Sequence, residues 1–269
     1  MPDALRGLRV LVTGATSGVG ELLVQKLAQR GASVLVHGRD AARVREVTAA
    51  LLAAGGTAQA FVADLGSLSQ VKQLASAVGA AGRLDVLVNN AGVGFGRDPK
   101  KRETSADGFE LRFAVNFLAP FLLTELLVAH GSPSRAVVNV ASAGQAPLDR
   151  DDLLSDSKYD GVLAYRRSKL ALIMDTFQRA AADASRAYLA LHPGTFLATK
   201  MVREANITPQ GSAESGAEAV LHVIERALRG ESGRYFDRDA PAAADPSASE
   251  PETRAWLRAE ALRLTASVS

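Results

Sequence analysis

Tyr165 and Lys169 are the residues of this sequence whose chemistry and spacing best suit proton transfer. They are four positions apart, so on a helix their side chains share one face, with Cβ atoms about 5–6 Å apart. An ammonium group near a phenol favours the phenolate and lowers the tyrosine pKa from ~10 toward neutrality. Such a tyrosine can give or take a proton at working pH. Tyrosine and lysine at this spacing are also common on solvated helices, so other residues must decide.

A glycine-rich turn near the N-terminus has the pattern of a phosphate-binding turn. Residues 13–20 read TGATSGVG and separate an apolar run, 8–12, from an amphipathic run, 21–30. The order of strand, glycine turn and helix brings free backbone N–H groups to a helix N-terminus, where they can bind a phosphate. Glycine lets the backbone turn sharply and approach a ligand closely. Such turns also end strands for structural reasons alone.

Apolar strands alternate with amphipathic helices along most of the chain. The predicted strands are 8–12, 32–37, 58–62, 85–89, 135–140, 187–192 and 234–236. Helices of about a dozen residues between such strands indicate a parallel sheet with helices on both faces. We therefore predict one α/β domain over residues 1–269, a Rossmann-type doubly wound parallel sheet of about seven strands. The polar groups that follow each strand then meet at the carboxyl edge of the sheet.

Three further segments carry their own predictions. The polar segment 195–212 is irregular and is predicted to be a mobile substrate lid. The segment 240–251 is rich in Ala, Pro and Ser and is predicted to be a flexible linker to a C-terminal helix. The apolar stretch 109–127 reads as a helix that contains Pro120. Proline has no N–H to donate to the carbonyl of Asn116, so we expect a kink with a free carbonyl there.

Composition narrows the class of protein. With 269 residues, 47% of them apolar, the chain can bury a large core. Its net charge is +2 and its basic residues are scattered, so a pI near 9.0 is a weak argument for nucleic acid. The absence of cysteine excludes disulfides and a cysteine nucleophile, and four distant histidines predict no metal site. The sequence has no signal-like segment, and it has no apolar run of the ~18 residues needed to span a bilayer. We therefore predict a cytoplasmic protein with no membrane partner.

Six short patterns, in order along the chain, resemble those of the short-chain dehydrogenase/reductase family. They are the glycine turn, Asn-Asn-Ala-Gly at 89–92, Asn116, Ser142, Tyr-x-x-x-Lys at 165–169 and Pro-Gly at 193–194. The resemblance extends from residue 8 to about 236. Within the family, the stretches 115–124, 152–161 and 191–194 look most like the retinol-dehydrogenase-like oxidoreductases.

The resemblance implies four catalytic residues. Tyr165 would be the general acid that protonates a carbonyl oxygen as hydride arrives, or the base in the reverse direction. Ser142 would hydrogen-bond that oxygen, and Lys169 would bind the nicotinamide ribose while lowering the pKa of Tyr165. Asn116 would hold, through its main-chain carbonyl, a water that links Lys169 to solvent.

It also implies a binding site for a nicotinamide dinucleotide. The implied contacts are Gly14, Thr16, Ser17, Gly18, Val19, Gly20, Arg39, Asp64, Leu65, Asn90, Ala91, Gly92, Tyr165, Lys169, Pro193, Gly194, Thr195 and Thr199. Asp64 would meet the adenine. Thr199 resembles the threonine that binds the nicotinamide carboxamide, and Thr195 is close enough to compete for that role.

The choice of cofactor depends on the end of the second strand. An NAD site needs a carboxylate there for the ribose 2′-hydroxyl, but this chain has His37, Gly38 and Arg39. Arg39 can bind a 2′-phosphate through charge-assisted hydrogen bonds, and Asp40 comes one residue late and suits a helix cap. We therefore expect NADP(H) rather than NAD(H). The alternative is that Arg39 is a solvated surface residue.

The gap of 23 positions between Ser142 and Tyr165 is longer than in compact family members. The extra residues, 147–160, resemble the insert of the retinol-dehydrogenase-like group and would border the substrate mouth. A mainly apolar pocket would be lined by residues near this mouth. The candidates are Phe95, Leu148, Leu153, Phe196 and Met201. Each of them can equally be a core residue.

The leading expectation is an NADP(H)-dependent oxidoreductase, of the ketoreductase type, that interconverts a carbonyl and an alcohol on a largely apolar small molecule. The alternative is a catalytically silent NADP(H)-binding regulator or scaffold with the same fold. A nucleic-acid binder would need a basic stripe with interleaved aromatic residues, which the sequence lacks. Family members commonly pair through the helices that hold Asn116 and Tyr165, so a homodimer or homotetramer is expected. The substrate and the direction of reaction stay open.

Overall fold

A computed structural model describes residues 4–268 and contains the predicted alternation of strands and helices. Its strands are β1 (Arg9–Val12), β2 (Ser33–Gly38), β3 (Thr57–Val62), β4 (Val86–Asn89), β5 (Ala136–Val140), β6 (Ala187–His192), β7 (Arg234–Asp237) and β8 (Ala240–Ala242). Its α-helices are α1 (Gly18–Gln29), α2 (Ala41–Ala53), α3 (Leu68–Ala80), α4 (Leu111–Phe113), α5 (Ala119–Ala129), α6 (Gly161–Ala182), α7 (Lys200–Glu204), α8 (Ala213–Leu228) and α9 (Pro251–Ala266).

The strands form one sheet in the order β3-β2-β1-β4-β5-β6-β7-β8. Neighbours pair in parallel from β3 to β7, and only β8 is antiparallel to its neighbour. Val12 of β1 lies level with Val36 of β2 and Val88 of β4. The chain reverses its direction of winding between β1 and β4, which opens a crevice at the carboxyl ends of these strands. The predicted doubly wound Rossmann-type fold is confirmed, with one strand more than the seven expected.

Apolar clusters cover both faces of the sheet. Side chains of α1, α2 and α8 pack on one face, and those of α3, α5, α6 and α9 pack on the other. Strands β4, β5 and β6 are buried along their whole length. Parallel strands buried on both faces read as continuous apolar runs rather than alternating ones, which is why the sequence pattern located them well.

The additional strand lies in the segment expected to be a flexible linker. Ala240–Ala242 pairs with β7, with Pro241 opposite Phe236. Proline is tolerated on an edge strand because its missing N–H is not needed there. Pro246–Ser249 then forms a 3₁₀ turn, and the Asp245 carboxylate accepts a hydrogen bond from its first turn. The segment is thus regular structure, which its Ala, Pro and Ser composition did not indicate.

The helix around Asn116 is interrupted as expected. Ala114–Leu118 is a π-helical turn between α4 and α5, in which the amide of Ala119 bonds the carbonyl of Ala114, five residues back. Pro120 lies in the first turn of α5. It has no N–H for the carbonyl of Asn116, so the α-helical ladder cannot run through this point. Turns of this kind are frequent at functional sites.

Leu111–Ala129 is the one helix in the described part of the chain that is long and apolar enough to cross a membrane by length and composition. This differs from the expectation that no apolar run reaches that length. Of its apolar window, 78% is buried inside the protein, where it packs against α3 and α6 and the sheet. The absence of a membrane partner stays a prediction.

Helix α9 covers the face formed by α5 and α6. Leu257, Ala261 and Leu264 are buried in the same apolar cluster as these two helices. Arg258 donates to both carboxylate oxygens of Glu125 on α5, at 3.0 Å each. The face through which we expected two subunits to pair is therefore occupied by the chain's own C-terminal helix. A homo-oligomer stays a prediction.

Candidate active site

The glycine turn lies between β1 and α1 at the carboxyl edge of the sheet. Gly14 and Gly18 have φ of +66° and +57°, which favour glycine. A Cβ on Gly20 would overlap the carbonyl oxygen of Gly14. The side-chain amide of Asn90 donates to the carbonyls of Thr13 (2.9 Å) and Gly14 (3.2 Å). The turn is therefore tight and is supported by the Asn-Asn-Ala-Gly segment after β4.

The N-terminus of α1 is open to a ligand. Ser17 precedes the helix with extended backbone, and its side chain makes no capping hydrogen bond. The first amides of a helix have no intrahelical partner and attract anions. Those of Gly18, Val19 and Gly20 are the first amides of α1. Because the turn has no Cβ atoms at its glycines and its helix is not capped by Ser17, it fits the diphosphate of a dinucleotide.

The side chain of His37 supports the glycine turn. The amide of Gly14 donates to His37 Nδ1 at 3.3 Å, and Nε2 lies 3.2 Å from the carbonyl oxygen of Ala63. Burial lowers the pKa of His37 to about 4. The ring is therefore neutral at pH 7, with Nε2 as the donor and Nδ1 as the acceptor. The sequence placed this histidine at the end of β2 but did not indicate the support.

The two arginines that follow β2 have different surroundings. Asp40 accepts hydrogen bonds from two amides of the first turn of α2, which confirms that it caps this helix. Arg43 donates to Glu46 at 2.6 Å and to the carbonyl of Thr16 at 3.2 Å. Arg39 is exposed and makes no hydrogen bond or ion pair that the structure shows within residues 4–268. Its guanidinium is thus available to a ligand beside the glycine turn.

Residues expected around the adenosine half lie at the ends of β3 and β4. Asp64 is exposed, and its carboxylate accepts from the amide of Gly66 at 2.8 Å. Leu65 is buried in the apolar core, and its contact with the cofactor stays a prediction. The amide of Ala91 donates to Thr13 Oγ1 at 3.0 Å. A Cβ on Gly14 would come within 2.9 Å of the Cα of Ala91, so the two loops touch.

Ser142, Tyr165 and Lys169 come together although they are distant in sequence. Ser142 follows β5, and its hydroxyl lies close to that of Tyr165 near the start of α6. Lys169 lies one turn further, with Nζ 5.8 Å from the centre of the Tyr165 ring. The Lys169 ammonium donates to the carbonyl of Val140 at 2.9 Å. The three predicted side chains thus share one site at the carboxyl end of β5.

The pKa of Tyr165 differs from the expectation. Burial raises it, while the hydrogen bond from Ser142 lowers it. The sequence predicted a pKa lowered by Lys169, and this direction is wrong because desolvation of the phenolate outweighs the stabilisation. Burial also lowers the pKa of Lys169 to about 8. Tyr165 is therefore protonated at neutral pH.

Asn116 lies beside these residues, in the π-helical turn. Its Nδ2 donates to Val93 O (3.1 Å) and Ser168 Oγ (3.0 Å), and its Oδ1 accepts from the amide of Val93 at 2.8 Å. A Cβ on Gly92 would lie 3.1 Å from Asn116 Oδ1 and 3.4 Å from Lys169 Nζ. The structure thus brings Asn116 close to Lys169. The water held by its main-chain carbonyl stays a prediction.

Two apolar side chains face the site from the loop after β4 and from the lid. The ring of Phe95 meets that of Tyr165 edge-on, with centroids 4.9 Å apart and planes at 89°. A Cβ on Gly94 would lie 2.7 Å from Met201 Cγ of α7. The lid helix therefore rests on the loop that carries Phe95. These two residues fit the predicted apolar pocket.

The other three pocket candidates lie differently. Leu148 and Leu153 pack against the apolar core, so the reading of them as core residues gains support. Phe196 is half-buried in the lid, with a φ of +43°.

The lid places its two threonines apart. Thr199 precedes α7, and its Cγ2 would lie 3.0 Å from a Cβ on Gly18, so it adjoins the glycine turn. Thr195 is exposed, and its hydroxyl hydrogen-bonds His192 Nε2 at 3.0 Å. Of the two threonines, Thr199 is therefore better placed to contact a molecule bound at the glycine turn. Pro193 and Gly194 directly precede the predicted lid, and Gly194 has a φ of +136°.

Sequence reasoning missed a buried ionic cluster around Arg112. Arg112 is 1% exposed and donates to the carbonyl of Gly94 (3.0 Å), to Glu103 (2.6 Å) and to Glu110 (3.3 Å). Glu110 also accepts from the hydroxyl of Tyr159 at 3.0 Å. The cluster thereby joins the loop of Phe95 to the insert 147–160. Charged residues within the apolar stretch 109–127 were the available signal.

The chain is similar in sequence to known oxidoreductases. A protein of Streptomyces sp. (strain C5), named as a candidate daunorubicin C-13 ketoreductase, is 38% identical over 194 residues, which are 71% of this chain and 66% of that protein. Human retinol dehydrogenase 13 is 33% identical over 287 aligned positions, covering 96% of this chain and 84% of that protein. The first alignment thus spans just under two thirds of its protein, and the second spans most of it.

A solved structure and a family model agree as well. The crystal structure of a metagenomic short-chain oxidoreductase in complex with NADP superposes with a TM-score of 0.68 at 27% identity, covering 90% of this chain and 100% of that one. The model of the short-chain dehydrogenase family matches residues 9–210. The chain belongs to this family, whose members are oxidoreductases that act on CH–OH and C=O groups.

Proposed function

We propose that this chain is an NADP(H)-dependent reductase of a carbonyl group on a largely apolar small molecule. The observation that carries the proposal is that the Ser142 hydroxyl lies close enough to the Tyr165 hydroxyl to lower its pKa, beside Lys169. Two hydroxyls that converge in this way can both donate to one carbonyl oxygen. The glycine turn lies at the same edge of the sheet, where a dinucleotide would place its reactive ring.

Proton donation by Tyr165 suits the reducing direction. Burial raises its pKa, so the phenol keeps its proton at neutral pH and can give it to an oxygen that gains negative charge. A bound NADPH supplies the hydride that reduces the carbonyl carbon. Ser142 donates to the same oxygen and holds the carbonyl in place, which is the electrostatic stabilisation that most favours such a step.

Lys169 stabilises the phenolate that remains. Its pKa of about 8 leaves the ammonium mostly charged at neutral pH. It lies on the same face of α6 as Tyr165, and a positive charge at this distance favours the ionised phenol. Its position near Gly92 and Asn116 also suits a hydrogen bond to the ribose of the dinucleotide.

NADP(H) is proposed over NAD(H) because of Arg39. The cofactor with a 2′-phosphate needs a cation at the end of β2, and Arg39 is exposed there without a partner among the described residues. No aspartate takes that position, since Asp40 caps α2. The metagenomic relative whose structure contains NADP supports the same choice.

An apolar substrate is proposed from the surroundings of Tyr165. The ring of Phe95 packs on that of Tyr165. Met201 of α7 packs against the loop that carries Phe95. Ligand pockets are lined mainly by such side chains, with a few polar groups that fix orientation. Two relatives whose names state a substrate, retinol dehydrogenase 13 and the daunorubicin ketoreductase, are named for molecules with large apolar parts.

The test is Tyr165→Phe. With NADPH and a panel of apolar aldehydes and ketones, we expect kcat to fall about 10²–10⁴-fold, the usual contribution of a general acid. NADPH binding, measured by fluorescence titration, should be unchanged. Tyr188→Phe, which removes a buried hydroxyl that donates to Asp183, is the matched control. Turnover that is retained in the Tyr165→Phe variant would contradict this mechanism. Tight NADPH binding without oxidation by any compound favours the silent regulator instead.

A further inference from the structure

The backbone of Ser142 is held from behind by two side chains. The carbonyl oxygen of Ser142 accepts a hydrogen bond from the Tyr235 hydroxyl at 3.0 Å and another from Gln145 Nε2 at 3.3 Å. The Gln145 side chain and the Tyr235 hydroxyl thus meet at the same carbonyl oxygen. On the other side, the Ser142 hydroxyl accepts from the amide of Gly144 at 3.0 Å. Both the hydroxyl and the carbonyl of this residue are therefore fixed.

Tyr235 is built into the core of the protein. It lies in β7, level with Ala190 of β6, and is 4% exposed. Burial raises its pKa to about 12, so the hydroxyl stays a donor over the whole working range of pH. A buried hydroxyl without a partner would cost free energy, and the Ser142 carbonyl is the acceptor that this one uses.

Gln145 links the same point to the C-terminal segment. Its Oε1 accepts from the amide of Asp245 at 2.7 Å. The Asp245 carboxylate in turn accepts from the amide and the hydroxyl of Ser247, at 3.0 and 2.6 Å. The 3₁₀ turn after β8 is thus connected to Ser142 through one amide side chain.

We propose that Tyr235 and Gln145 are positioning residues for Ser142, so that residues 235–249 form part of the catalytic apparatus. The inference rests on the function proposed above. Both Tyr235 and Asp245 lie beyond residue 210, where the match to the family model ends. Misplacement of a reacting group by about 1 Å can cost roughly 10²-fold in rate, so a donor that fixes the serine backbone acts on turnover without touching the substrate.

The test is Tyr235→Phe, which keeps the buried ring and removes only the hydroxyl. We expect kcat to fall about tenfold or more, within the range that misplacement can cost, with the KM for NADPH unchanged. In alcohol oxidation, the limiting pKa of Tyr165 should rise, because the Ser142 hydrogen bond that lowers it is weakened. Gln145→Met should act in the same direction, since it also removes a donor to Ser142.

Tyr188→Phe is the control, because its hydroxyl is also buried and donates to Asp183, away from Ser142. A readout independent of turnover is the ultraviolet titration of tyrosinate. The ionisation step of Tyr165 is the one lost when Tyr165→Phe is added to each variant, and it should move to higher pH in Tyr235→Phe but not in Tyr188→Phe.

The two proposals fail in different ways. A wild-type protein without turnover, or turnover retained in Tyr165→Phe, rejects the proposed function. If these hold as expected and Tyr235→Phe matches Tyr188→Phe in kcat and in the Tyr165 titration, the inference about Tyr235 is overturned.

Discussion

At the scale of single residues, the surroundings of a charge decide what it can bind. The Arg43 guanidinium already donates hydrogen bonds to Glu46 and to the Thr16 carbonyl. Arg39 is exposed at the end of β2, and the structure shows no such contact for it among residues 4–268. A phosphate at this position would therefore bind the Arg39 guanidinium without displacing a hydrogen-bond partner.

Arg39→Ala should raise the KM for NADPH about 10–100-fold, since a hydrogen bond between charged groups contributes about 1.5–3 kcal/mol. The KM for NADH should stay within about twofold, because that cofactor has no 2′-phosphate to lose a contact. Arg45→Ala removes an exposed charge from α2, the helix that follows Arg39, and is the control. Steady-state kinetics with both cofactors measure the effect. Equal KM values for NADPH in the two variants would contradict the role of Arg39.

The sequence predicted which residues form the site better than it predicted their energetics. Tyr165 and Lys169 were found from spacing and from the family pattern. The rise in the Tyr165 pKa was not, because desolvation depends on packing from other parts of the chain. Tyr235 and Arg112 were missed for a related reason. The Ser142 carbonyl that Tyr235 meets lies 93 positions away in sequence and is a main-chain atom without any signature, and Arg112 also meets a main-chain carbonyl, that of Gly94.

At the scale of elements, the base of the lid is fixed by one leucine. Leu197 is buried and is surrounded by glycines: a Cβ on Gly216 of α8 would overlap its Cδ1, and one on Gly194 would lie 2.9 Å from its Cδ2. The amide of Ala198 bonds the carbonyl of Gly211 at 2.8 Å, which joins the two ends of the lid. The lid therefore depends on a contact with α8.

Gly216→Ala should weaken this contact. Alanine is favoured over glycine in a helix by about 1 kcal/mol, yet here it would overlap Leu197 and lie 2.9 Å from Val19 Cγ2. We expect a higher KM for NADPH and a lower Tm. Gly79→Ala in α3 is the matched control, because nothing lies within 4 Å of its Cβ position, and it should raise the Tm. A Gly216→Ala variant with the stability and KM of the control would exclude the contact.

Elements with strong apolar patterns were predicted to within a few residues. The strand expected at 135–140 is Ala136–Val140, and the strand expected at 187–192 is Ala187–His192. The segment 240–251 was not, because β8 is held by its pairing with β7 rather than by its own composition. Edge strands of three residues carry too little pattern to be found without their neighbour.

At the scale of the whole molecule, α9 completes the core. Leu257 is 1% exposed and packs with the apolar cluster beneath α5 and α6. Arg258 and Arg179 both bind Glu125, whose pKa they lower against the opposing effect of burial. The helix is therefore part of the fold rather than an appendage to it.

Leu257→Ala should lower the free energy of unfolding by about 2–5 kcal/mol, the usual cost of a buried leucine with its cavity. Leu262→Ala on the same helix, where the side chain is 44% exposed, should change it by less than about 0.5 kcal/mol. Denaturant titration measures both. Equal effects of the two substitutions would mean that α9 does not pack as described.

The contact between Arg150 and Trp256 has an optical consequence. The Arg150 guanidinium lies 5.1 Å from the centre of the Trp256 ring and also donates to Thr253 at 3.1 Å. Trp256 is the only tryptophan in the sequence. Its indole emission therefore originates at a single place, where the insert 147–160 touches α9. Any event that separates these two segments would change that emission, so the protein contains its own fluorescent probe of the contact between the insert 147–160 and its C-terminal helix.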